Sequence, residues 1–151
     1  MIRVHKLIAT CLGIGYVPRG GGTVASAICC FVLYFLCGSG CNQALLVSIT
    51  GIIIAIGIWS SSKLELIWGK DNNRIVIDEV AGMCISLLFV PLHWYFVLAG
   101  FILFRFFDII KPLYIRKLEK LTGGWGVMAD DLLAGIYSNL ILQCFVLSNR
   151  F

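Results

Sequence analysis

Five runs of apolar side chains constrain this chain more than any other feature. They extend from Val24 to Cys37, Ala44 to Trp59, Val80 to Val90, Leu92 to Ile110 and Leu132 to Leu147, the fourth broken by the charged Arg105 and Asp108. Apolar residues make up 60% of the chain and charged ones 13%, where a soluble domain has about 45–50% and 25%. With a mean hydropathy of +0.95, the expected fold is all-α: a multi-pass membrane helical bundle with four to five short spans. Each run falls short of the roughly 20 residues that cross a bilayer comfortably, so the spans must recruit flanking residues or thin the membrane. The third is weakest, because lengthening it backwards draws Asp78 and Glu79 into the helix. The chain, 1–151, reads as a single integral-membrane domain, too short for a bundle plus a separate soluble unit.

The connections carry the orientation signal. Arg3, Lys6 and Arg19 precede the first run; Lys63, Lys70 and Arg74 follow the second; Lys111, Arg116, Lys117 and Lys120 follow the fourth; the tail has Arg150. The intervening turns, GSGCNQ and PLH, have no Lys or Arg. That alternation predicts a cytoplasmic N-terminus and an outer C-terminus. The basic clusters suit anionic lipid head groups, and with no continuous basic and aromatic face the sequence argues against nucleic acid. The basic and apolar N-terminus lacks a small-x-small cleavage site and is expected to be retained. Seven cysteines offer no paired CxxC spacing and no histidine partners at zinc distances. They read as buried free thiols, with a Cys37–Cys41 bridge as the lesser alternative.

With that topology the acids gather at one face. Asp78 and Glu79 open the third span, Asp108 closes the fourth, and Asp130 and Asp131 open the fifth. Helix-dipole capping, worth about 0.3–1 kcal/mol, explains one acid of each pair but not two. Ala81-Gly82 and Ala134-Gly135 follow the two pairs, and small residues let helices approach closely. Carboxylates brought together in this way need a cation. Oxygen donors without nitrogen or sulfur point to a hard ion such as Mg²⁺.

Further polar features fall on the same side. The turn GIGYVPRGGGTVAS, residues 13 to 26, either presents N–H groups to a phosphate or is only a flexible entry to the membrane. In FRFFDIIKP, Arg105, Asp108 and Lys111 recur every three residues, as they would along one side of a helix. They form a salt-bridge ladder or a functional site, and the cost of ionisable groups near a membrane favours function. KPLYIRKLEKLTGGW suggests an interfacial amphipathic helix with Trp125 near the head groups, and KLELIWGKDNNR a shorter one.

IVIDEVAGM, FRFFDIIKP, GGWGVMADDLLAGIY and the glycine-rich turn before GTVAS together resemble the phosphatidylglycerophosphatase A family, in order and spacing, from Gly13 to about Leu142. The resemblance implies a Mg²⁺-dependent phosphatase of the bacterial inner membrane, active at its cytoplasmic face. It would convert phosphatidylglycerophosphate to phosphatidylglycerol in phospholipid biosynthesis. Carried over by position, the family's acidic motifs fall on Asp78, Glu79, Asp108, Asp130 and Asp131, the catalytic candidates; helix spacing, with Asp131 one turn before Gly135, makes Asp78, Glu79 and Asp131 the expected metal ligands. Arg105, Lys111, Arg19, Gly22 and Thr23 are the substrate-binding candidates. Gly21 and Ala25 depart from the family's proline and second glycine, and Tyr114 from its usual proline.

Two routes stay open at this level: attack by metal-activated water, or by an aspartate that becomes phosphorylated. A small ion or proton transporter is the rival class, although its acids belong near the midplane. A histidine phosphatase is disfavoured, since His93 lies in the opposite turn and His5 near the start.

Overall fold

The computed structural model describes residues 2–40, 42–70, 72–118 and 120–148. Among these residues the chain forms seven α-helices and no strand: α1 Ile2–Ala9, α2 Gly21–Cys37, α3 Gln43–Trp68, α4 Ile77–Ser86, α5 Trp94–Ile110, α6 Ile115–Leu118 and α7 Gly124–Ser148. Local chemistry sets several ends. Left-handed Gly20 precedes α2 and Gly69 closes α3, both with positive φ. Asn42 caps α3, its side chain accepting from the N–H groups of Ala44 and Leu45 at 3.0 and 3.3 Å.

Two helices, α3 and α7, are long and apolar enough to cross a membrane. Only 28% and 33% of their most apolar windows are buried, so both turn most of that surface outward. At 17 residues α2 and α5 reach about 25 Å, and the ten residues of α4 about 15 Å, against about 30 Å of hydrocarbon. Helix length therefore supports two spans, not the four to five expected. The segments expected as interfacial helices also differ. Residues 63–68 are the end of α3, and of the stretch after Lys111 only the four residues of α6 form a separate helix before α7 begins. The six described cysteines are free, and three of them, Cys29, Cys30 and Cys84, are buried. Cys41, and with it the Cys37–Cys41 pairing, lies outside the described residues, as does Arg150.

Helix α4 is the centre of the bundle, packed against α2, α3, α5 and most extensively α7. It meets α7 through glycines: a Cβ at Gly135 would overlap the carbonyl of Gly82. The end of so short a helix leaves carbonyls without partners, and α7 supplies them. Asn139 Nδ2 donates to Ser86 O and Leu88 O at 3.0 and 2.8 Å, and Gln143 Nε2 to Leu88 O at 3.1 Å. The N–H of Phe89 donates to Gln43 Oε1 at 3.0 Å. One apolar core, including Met83, Leu87, Phe104 and Leu142, fills the space among α2, α4, α5 and α7. A second, including Ala9, Leu64, Ile77, Ala81 and Met128, joins α1 and the end of α3 to the starts of α4 and α7.

Candidate active site

The acids at the start of α4 are held by the chain before them. Val76 N–H donates to Ala9 O at 2.9 Å, and Gly15 packs so closely on the Arg74 carbonyl that no side chain would fit. Asp78 and Glu79 then occupy the first turn, where Asp78 Oδ1 accepts from the Glu79 N–H at 3.0 Å. The glycine contact between α4 and α7 brings Asp131 to them. One oxygen from each of Asp78, Glu79 and Asp131 lies within 4.8 Å of the others. Asp131 is 4% exposed and Asp78 9%, so water screens their mutual repulsion poorly. Glu79 Oε2 is buried and has no hydrogen-bond partner. An all-oxygen donor set with an unsatisfied buried carboxylate oxygen fits a metal ion.

Asp130 takes a different direction. Because α7 starts at Gly124, Asp130 and Asp131 lie inside the helix rather than opening it, and adjacent residues diverge by about 100°. Asp130 Oδ2 accepts from Lys111 Nζ at 2.7 Å, while its buried Oδ1 has no hydrogen-bond partner. Lys111 can reach it because it ends α5 in the left-handed region, φ 48°, rather than extending the helix. The expected three-residue ladder is therefore broken: Arg105 Nη1 contacts Asp108 Oδ2 at 2.6 Å, and Lys111 leaves for α7. The Arg105–Asp108 contact is an ion pair off the hydrogen-bond direction, since Nη1 and Nε lack hydrogen-bond partners.

A cavity of about 490 Å³ collects these groups. All five acids line it, with Lys111, Arg19 and the glycines that start α2. Gly22 lets Glu79 lie against the start of α2, since a Cβ there would overlap Glu79 Oε1 and push that carboxylate aside. Arg105 and Thr23 are not on its wall, and Thr23 is exposed. Asn72 and Asn73 are, though sequence reasoning passed over them; their place in a polar loop just before Ile75 and the Asp78-Glu79 pair was the available signal. Anion-neutralising groups thus face a carboxylate cluster across one cavity, an arrangement suited to a metal and a phosphate together.

Over residues 7–146 the sequence matches the family model described as Phosphatidylglycerophosphatase A. The chain belongs to this family. It is a phosphatase, and phosphatidylglycerophosphatase A relatives align along most of its length. One from Haemophilus influenzae is 37% identical over 142 residues, covering 90% of this chain and 85% of the relative. Another, from Escherichia coli, is 34% identical over 138 residues, covering 90% and 80%. A Bacteroides thetaiotaomicron protein provisionally named phosphatidylinositol-3-phosphatase is 43% identical over 145 residues, covering 90% and 89%. No solved structure matches the chain.

Proposed function

We propose that this phosphatidylglycerophosphatase A family member is a Mg²⁺-dependent hydrolase that removes the terminal phosphate of phosphatidylglycerophosphate, yielding phosphatidylglycerol for phospholipid biosynthesis. The carrying observation is the Asp78, Glu79 and Asp131 cluster, within 4.8 Å, in a cavity that also holds Lys111 and Arg19. Asp78, Glu79 and Asp131 would hold the ion. When bound, it supplies Lewis-acid stabilisation of phosphoryl charge and acidifies water at neutral pH. Lys111 and Arg19 neutralise charge on the phosphoryl oxygens, helped by N–H groups at the start of α2. Asp130 keeps Lys111 aimed into the cavity, and Asp108 adds a carboxylate to its wall.

The reading places one domain in the bacterial inner membrane with the cavity at the cytoplasmic face. It counts five crossings, with the third made of α4 and segment 87–93. Irregular backbone is tolerated at membrane depth where protein groups satisfy it, as the amides of α7 and α3 do here. A second reading, a phosphoinositide monoester as substrate, draws on the Bacteroides relative's name. An ion transporter is disfavoured, because the acids sit in early turns of α4 and α7 rather than mid-helix.

The deciding experiment measures phosphate release by the purified protein from phosphatidylglycerophosphate and from phosphatidylinositol 3-phosphate. EDTA should abolish release, and Mg²⁺ should restore it. Preference for the inositol lipid would install the second reading, and full activity in EDTA would remove the metal.

A further inference from the structure

Beside the carboxylate cavity runs a groove of about 510 Å³ whose lining is entirely apolar side chains and cysteines. It exists because α2 and α3, though joined by a short turn, both pack on α4 and scarcely on each other. α2 and α3 form the walls, and Val80 and Cys84 of α4 lie between them. The thiols of Cys29 and Cys84, 3.6 Å apart, satisfy each other and present no strong polar group to the groove.

The groove begins where the polar site ends. Val80 follows Glu79 directly, and Ala25 lies one turn beyond Gly22, the residue packed on Glu79 Oε1. From Ala25 to Leu36 along α2 the rise is about 16 Å, close to half of the ~30 Å hydrocarbon core. Its rim is open to the outside, with Val32 and Ile49 each 42% exposed. At the end near the site Leu12, 87% exposed, sits in a turn where Cys11 and Leu12 both adopt left-handed φ, 46° and 59°. Such conformations are strained for non-glycine residues and persist where the surrounding structure enforces them.

A polar end lined by Lys111, Arg19 and carboxylates suited to a metal ion, beside an apolar channel about one leaflet deep, is the negative image of a lipid phosphate. We infer that this groove holds one fatty-acyl chain of the same lipid whose phosphate occupies the carboxylate cavity. The inference rests on the phosphatase reading and adds that the enzyme recognises chain length as well as headgroup. The occupant is the substrate's own chain, because the groove's lining starts at Val80 and Ala25, next to Glu79 and one turn from Gly22 of the carboxylate cavity; surrounding lipid would need no such alignment.

The test compares dipalmitoyl with water-soluble dibutyryl phosphatidylglycerophosphate in fixed detergent, using wild type, Val32→Trp and Ile49→Trp. Wild type should favour the long-chain lipid at least tenfold in kcat/KM. The tryptophans should erase that preference at least tenfold through the long-chain KM, with short-chain kcat/KM unchanged. An unchanged preference, or equal loss on both lipids at wild-type thermal stability, overturns the groove. No phosphate release by wild type from either lipid overturns instead the phosphatidylglycerophosphate reading on which the inference rests. An independent measurement needs no variant: a substrate lipid with a diazirine in mid-chain should label residues 25–37, 45–53 and 80–84. Label spread over the outer faces of α5 and α7 overturns the assignment.

Discussion

At the scale of single residues, adjacent aspartates have been given unlike surroundings. Asp131 faces Asp78 and Glu79, and Asp130 faces Lys111. Asp131→Asn should therefore abolish turnover and weaken Mg²⁺ binding in a protein that stays folded, whereas Asp130→Asn should keep metal affinity and lose mainly kcat. Metal titration beside initial-rate kinetics separates the two, and wild-type rates in both variants would leave the pair as a boundary marker. The basic residues should divide in the same way. Lys111 lines the cavity and Arg105 does not, so Lys111→Ala should lower kcat/KM more than tenfold, a loss above about 1.4 kcal/mol. Arg105→Ala should cost less in rate. The grouping of acids was legible in the sequence, because charges in so apolar a chain are expensive and each pair precedes a glycine. The exchange of partners was not. Pro112 argues that α5 stops by Ile110, but nothing in Lys-Pro announces the left-handed turn at Lys111 that swings its amine to α7.

At the scale of elements, the helices whose bounds were misjudged are those set by contacts distant in sequence. In the sequence Gly123 and Gly124 fall near the end of an expected interfacial helix, with the last span opening at Asp130 and Asp131, yet α7 starts at Gly124, whose N–H donates to Ser62 Oγ at 2.8 Å. Gly124 also packs so closely on the Ile58 carbonyl that a Cβ would overlap it. That glycine serves close approach to α3, not a turn. Lys63 and Glu65 similarly suggested a boundary but belong to α3 as it emerges from its apolar stretch. The most exposed dependency is the end of α4, where Asn139 serves two carbonyls. Asn139→Ala should destabilise the protein by about 1–3 kcal/mol, the usual cost of stranding buried polar groups. Thermal unfolding in detergent would register this, and an unchanged midpoint would mean that another group reaches Ser86 and Leu88.

At the scale of the whole molecule, one end of the bundle carries all the site's charge while the outward faces of α2, α3, α5 and α7 carry Phe31, Ile52, Ile102 and Leu140, each more than half exposed. The proposed orientation sets this charged end in the cytoplasm. Single cysteines at Lys70 and His93, in a chain with its native thiols replaced, should be labelled by an impermeant maleimide from opposite sides of the membrane. Labelling from one side would break the five-crossing arrangement. The bare contact of Gly82 with Gly135 has a consequence at this scale too. It acts as a spacer of zero thickness, setting how far the helix bearing Asp78 and Glu79 stands from the helix bearing Asp131. Mg²⁺ takes oxygens at about 2.0–2.1 Å and Ca²⁺ at about 2.3–2.6 Å, a difference smaller than the bulk of one methyl group. Gly135→Ala would wedge the two helices apart and should shift the activating ion from Mg²⁺ toward larger cations, so a contact that touches neither metal nor lipid would act as the caliper for ionic radius.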